Sequence, residues 1–150
     1  MPQSLAQILL HIIFSTKHQQ PLIDDDIADE LHGYIGGVCK LLECIPLKVG
    51  GHYDHIHLFT TLSRKLAVMD LLEEVKKHSS KWIKTKGDNY AGFYWQDGYA
   101  AFSVRPSEAA DLVRYIENQK EHHKTMGFQD ECRILFKRNG IEWDERYAWD

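Results

Sequence analysis

Cysteine is scarce in this chain of 150 residues: Cys39, Cys44 and Cys132 are odd in number and show no CxxC spacing. That argues against a disulfide framework and against a thiolate zinc site. Also missing is an apolar run of the roughly 20 residues needed to cross a bilayer. The stretch SLAQILLHIIFS lacks a basic segment before it and is broken by Gln7 and His11, so it does not fit a secretory signal. A reduced, cytoplasmic protein with no membrane contact is the expectation. No low-complexity segment, repeat or long Pro/Gly linker divides the chain, and a single domain over residues 1–150 is expected. Positive charge is in deficit as well, with 18 Lys and Arg against 22 Asp and Glu and a formal net charge of −4. This weighs against a general nucleic-acid binder, whose footprint is normally basic, but leaves a local basic surface open.

What is present is ordinary for a globular protein, with 43% hydrophobic and 27% charged residues. QILLHIIFSTK reads as a strand apolar on both faces, with Ile8, Leu10, Ile12 and Phe14 sharing one of them. Asp24, Asp25 and Asp26 then suit a helix start, and Ile27, Leu31, Tyr34, Val38, Leu41 and Leu42 follow at helical spacing. CIPLKVGG is a short strand, Gly50 and Gly51 open a turn, and HIHLFTTL returns as the second strand of a hairpin. Val68, Leu71, Leu72, Val75, Trp82 and Ile83 mark the strongest helix, which Gly87 ends. GYAAFSV is a further strand, Pro106 and Ser107 start a helix through EAADLVRYIENQKEHHK, and DECRILFKRN forms a last short helix. The order β-α-β-β-α-β-α plus a C-terminal helix fits an α+β, ferredoxin-like (RRM-like) antiparallel sheet with helices on one face.

Nine histidines are many for this length. In DHIHLF, His55 and His57 point to one face of a strand with Cα atoms about 7 Å apart, close enough for both imidazoles to meet one metal ion. By itself the pair fits a solvated strand face better than a metal site, which needs a further ligand. Tyr115 and Gln119, spaced i and i+4 on a helix, share one face about a turn apart. Alone they read as a boundary tyrosine and an exposed glutamine. Lys76, Lys77, Lys81 and Lys84 make a basic helix surface, with Lys86 just beyond, for phosphate contact without sequence reading or simply for solvation. Tyr90, Phe93, Tyr94 and Trp95 suit either base stacking or the core.

His-Ile-His on a strand, followed by a helical Tyr-x-x-x-Gln, resembles the HUH single-tyrosine transposases. These are the IS200-like enzymes of bacterial insertion sequences and the related REP-associated tyrosine transposases. HIIFSTKHQQPLI, VGGHYDHIHLF, FYWQDGYAAFSV, YIENQKEHH and GIEWDERYAW also look like family segments in family order, so the resemblance spans nearly the whole chain. It implies metal ligands at His55, His57 and Gln119, and a nucleophile at Tyr115 on a helix towards the C-terminus. It further implies a divalent cofactor, Mg²⁺ or Mn²⁺, and cleavage and rejoining of single-stranded DNA at hairpin-bearing element ends through a 5′-phosphotyrosine. In the family the tyrosine helix docks on a partner subunit, so a homodimer with shared sites is implied. His52, His122 and His123 lie near the implied site without a role. Three other readings stand beside this one: a domesticated relative that nicks repeat hairpins, a replication-initiator or relaxase nickase, and a non-catalytic ferredoxin-like nucleic-acid-binding module. The four site residues and the lack of an RNP-type aromatic strand count against the last. The group that deprotonates Tyr115 is open between metal-bound water and a histidine.

Overall fold

The structure, a computed structural model, describes residues 2–150. Its sheet has four strands, β1 (Leu9–Ser15), β2 (Pro46–His52), β3 (His55–Thr61) and β4 (Ala100–Val104), in the order β2-β3-β1-β4, all neighbours antiparallel. Helix α1 (Asp25–Leu41) connects β1 to β2, and α2 (Val68–Lys84) connects β3 to β4. This is the ferredoxin-like arrangement expected from the element order. After β4 come α3 (Ala109–Glu117), a single turn α4 (Gln119–His122) and α5 (Phe128–Arg138).

Both central strands are buried on both faces, as the unbroken apolarity of LLHIIFS foretells. On one face Leu10, Ile12, Phe14, Ile56 and Leu58 pack against Ile27, Leu31 and Ile35 of α1 and Leu71, Leu72 and Val75 of α2. Each such aliphatic side chain contributes roughly 1.5–3 kcal/mol when fully removed from water. Asp24 caps α1 by accepting from the Ile27 amide at 3.1 Å, and Tyr90 donates to the same carboxylate. Phe93 and Trp95 belong to this core, whereas Tyr94 is exposed. Leu41, though in phase with the α1 stripe, is 84% exposed because α1 ends there and Cys39 and Cys44 fill the space below.

Helices α3 to α5 cover the opposite face, which the crossover helices leave bare, so helices lie on both faces and not on the one expected, because β1 and β3 carry apolar side chains on both. Ile116 packs on Leu9 and Phe59, while Phe128, Cys132 and Phe136 pack on Ile13 and Phe102. The helix expected to run through residue 124 is broken at Asn118 (φ −91°, ψ 18°), so Tyr115 and Gln119 end up on different helices. Gly50 and Gly51 lie within β2, and the hairpin turn is Tyr53–Asp54 between the paired His52 and His55. Gly50 has a packing reason for its missing side chain: a Cβ there would sit 2.6 Å from Ile116 Cγ2 and 3.1 Å from the Ile116 carbonyl oxygen. The bare backbone thus lets α3 rest on β2. Gly50→Ala should push α3 outward and destabilise the fold by about 1–3 kcal/mol in denaturant unfolding, the usual cost of overpacking; an unchanged midpoint would show that α3 docks differently.

Candidate active site

Strand alternation sets Ile56 and Leu58 into the main core and turns His55 and His57 to the other face, under α3 to α5. Both imidazoles are 0% exposed. Buried polar rings need partners, and each has them. His55 Nδ1 lies 2.7 Å from Asp54 Oδ1, which fixes a proton on that nitrogen and aims Nε2 inward. His57 Nδ1 lies 2.7 Å from Nε2 of His11 on β1, with the two rings stacked at 5.0 Å. Burial and then the neighbouring His57 hold His11 down at about 3, so it stays neutral.

From α3 and α4 come the tyrosine and the glutamine. Gln119 is buried, and its Oε1 lies 3.0 Å from His55 Nε2. Tyr115 is partly exposed and lies edge-on to the His57 ring, with centroids 5.6 Å apart. The four residues expected at the site therefore converge, and they do so within one chain.

At the centre stands a residue that the sequence reading missed. Glu131 of α5 is 1% exposed. Its Oε1 lies 3.2 Å from His57 Nε2, 3.4 Å from His55 Nε2 and 3.1 Å from His123 Nε2. Its Oε2 accepts the Tyr115 hydroxyl proton donor and the Gln119 Nε2 at 3.2 Å. His123 also approaches Gln119 Oε1 at 2.9 Å, and His122 Nε2 lies 3.3 Å from Glu131. The signal was present: spaced three and four residues from Phe128 and Leu135, Glu131 occupies the apolar stripe of α5, where a lone carboxylate needs a reason. His11, in the middle of an apolar strand, carried the same kind of signal.

The electrostatics follow from this packing. Burial pulls the His55 imidazole down, but the carboxylates of Asp54 and Glu131 outweigh it and push its pKa up to about 9. For His57, burial prevails over Glu131 and the pKa is lowered. Burial would raise the Glu131 carboxyl, yet His123, His55 and His57 hold it far below the carboxylate range. Burial and then the Glu131 charge push the Tyr115 phenol above its ordinary value. With Nδ1 protonated towards Asp54, His55 turns its Nε2 lone pair on two oxygen acceptors, Gln119 Oε1 and Glu131 Oε1. Either a proton or a cation satisfies that geometry. The buried set His55, His57 and Glu131 could hold a metal ion, and the donor types suit a divalent one.

The α2 lysines lie across the sheet from this cluster. Lys76 is taken up structurally, donating to the carbonyls of Gln96, Asp97 and Gly98 at 2.7–3.2 Å, and burial lowers its pKa to about 8. Lys84 donates to Ser80 and covers the Tyr94 ring at 4.3 Å. Lys77 and Lys81 are exposed and make no ion pair among the described residues. A cleft of about 470 Å³, lined by His11, Phe102, Ser103, Leu112, Tyr115 and Arg138 among others, opens on the tyrosine.

This fold is shared with known transposases. A REP-associated tyrosine transposase bound to a REP hairpin superposes with a TM-score of 0.58 at 15% identity, over 82% of this chain and 73% of that one. A crystal structure of a candidate transposase from Deinococcus radiodurans R1 gives 0.61 at 20% identity, over 79% of this chain and 98% of that one. Comparison with curated proteins yields no match. Residues 4–119 match the model of the IS200-like transposases, and the chain belongs to that family. The family is metal-dependent in general, and no helix among the described residues is long and apolar enough to cross a membrane. If Asp54 orients His55 for a metal, Asp54→Asn should weaken Mn²⁺ binding about 10–100-fold, the usual effect of losing a ligand's outer partner; calorimetric titration reads this directly, and an unaltered affinity would remove Asp54 from the site.

Proposed function

We propose that this chain cleaves and rejoins single-stranded DNA through a covalent tyrosine intermediate, as part of transposition. The observation that carries the reading is the convergence of Tyr115, His55, His57 and Gln119 at one buried point beneath the tyrosine helix of a transposase-family fold. His55, His57 and Gln119 would hold Mg²⁺ or Mn²⁺, which supplies charge neutralisation and orientation of the scissile phosphate when bound. The Tyr115 oxygen, giving up its proton, attacks phosphorus, the bond from phosphorus to the 3′ oxygen breaks, and that oxygen takes up a proton so that the departing strand leaves with a 3′-hydroxyl. The products are a 5′-phosphotyrosine and that free end. Since the phosphodiester is exchanged and not hydrolysed, the reverse attack by a 3′-hydroxyl rejoins DNA without an external energy source.

The cleft lined in part by Tyr115 and Arg138 would admit the strand beside the tyrosine, with Arg138 as a cation for its phosphates. A hairpin-bearing DNA end is the proposed substrate, by analogy with the relative bound to a REP hairpin. Of the α2 lysines, the exposed Lys77 and Lys81 would meet a phosphate backbone, on the side of the molecule away from Tyr115. Dimerisation would then serve to bring two DNA ends together, each site being built within its own subunit.

Incubation with a labelled single-stranded hairpin oligonucleotide and Mn²⁺ should give a protein–DNA adduct stable on a denaturing gel. Tyr115→Phe should abolish it, and an adduct surviving in that variant would overturn the nucleophile assignment. A mixture of Tyr115→Phe with His57→Ala protein should stay inactive, since neither chain carries a whole site. Recovered adduct in the mixture would mean that tyrosine helices are exchanged between subunits.

A further inference from the structure

We infer that Glu131 is a fourth protein ligand of the divalent ion and, through its other oxygen, the group that positions the Tyr115 hydroxyl. This rests on the metal-dependent reading above and adds to it a residue from α5, outside the matched residues 4–119.

The two carboxylate oxygens face different tasks. Oε1 points into the imidazole cluster, 3.2 Å from His57 Nε2 and 3.4 Å from His55 Nε2, while His55 Nε2 lies 3.0 Å from Gln119 Oε1. Donor atoms about 2.1 Å from a common ion and at right angles are about 3 Å apart, so these spacings are those of neighbours around one centre. Oε2 points the other way and accepts from the Tyr115 hydroxyl. One side chain therefore ties the nucleophile to the ligand cluster and holds the two at a fixed distance.

Charge supports the same role. A carboxylate this deeply buried requires compensation. Among the described residues Glu131 has no Lys or Arg partner, and its only ion-pair neighbours are His55, His57, His122 and His123. Two imidazoles and an amide form a neutral set that favours softer ions, whereas an added anionic oxygen shifts preference towards Mg²⁺ and Mn²⁺. His123, against both Gln119 Oε1 and Glu131 Oε1, helps fix the two oxygens in place. α5 itself is held from outside: Arg133 pairs with Glu145 at 2.8 Å, and Trp149 stacks on Phe136.

The test compares Mn²⁺ affinity, followed by the paramagnetic signal of the free ion, for the wild-type chain, Glu131→Gln and Glu131→Asp. Wild type should bind one equivalent. Glu131→Gln should bind at least about tenfold more weakly, since losing even an outer partner of a ligand costs about 10–100-fold, and Glu131→Asp should fall between. At saturating Mn²⁺, Glu131→Gln should also form the tyrosine adduct at least tenfold more slowly. If wild type binds no Mn²⁺, the metal-dependent reading itself fails. If wild type binds and Glu131→Gln matches it in affinity, Glu131 is no ligand and the earlier reading stands; matching adduct rates would likewise overturn the positioning role. Circular dichroism reports whether the variants fold. Should they not, anomalous diffraction from Mn²⁺-soaked wild-type crystals decides, with a Glu131 oxygen bound to the ion expected and a Glu131 turned away from it contradicting the proposal.

Discussion

Strand β3 is buried on both faces, and this constraint governs everything around the site. A polar ring with no access to water must be satisfied by protein groups or it costs the fold dearly. His55 and His57 are such rings, and their four nitrogens recruit Asp54 from the hairpin turn, His11 from β1, and Gln119 and Glu131 from the covering helices. The chemistry-bearing cluster and the second hydrophobic layer are thus one structure. Phe128, Cys132 and Phe136 hold α5 on the sheet, and that docking is what delivers Glu131. Ile116 does the same for α3 and Tyr115.

The ferredoxin-like frame has two faces with different duties. Crossover helices α1 and α2 close one with a largely apolar core, in which the buried Ser79 accepts from the Trp95 indole at 3.0 Å, and a second set of helices lets the other face bury the histidine and carboxylate cluster. Identities of 15% and 20% to two structures of the same fold show how little of the frame depends on particular side chains. Alternation in β3 and helical spacing in α1 and α2 suffice for it. The face under α3 to α5 tolerates less, because each of its polar atoms must meet a specific counterpart.

Much of this was legible in the sequence. The element order and the strand placing both histidines on one face follow from periodicity, and Tyr115 and Gln119 from motifs in family order, though they lie on two helices and not on the one expected. What escaped was long-range satisfaction. Glu131 follows Asp130, which is exposed, and a DE pair at a helix start ordinarily reads as a charged first turn; only its phase with Phe128 and Leu135 betrays burial. His11 reads as an intrusion in an apolar strand until His57 is seen beside it, 46 residues away. The break at Asn118 has only a modest local signal, for Asn favours helix ends but is common within helices too, and neither Gly nor Pro is nearby. Lys76 looked like its neighbours on the α2 surface, and only the Gln96–Gly98 loop, folded back over it, turns a solvent-facing cation into a tether. Gly50 and Gly51 looked like a turn because two glycines usually are one; the reason for Gly50 lies in Ile116, far along the chain.

Burial of the proposed ligand cluster would have a kinetic side. His55, His57, Gln119 and Glu131 are each at most 1% exposed, so an ion proposed among them would meet bulk water through a loosening of the α4–α5 cover. Its residence time would then reflect the free energy of that local opening more than the strength of the metal–ligand bonds. A brief exposure to chelator would leave such a centre loaded, and the ion would exchange on the timescale on which the cover breathes.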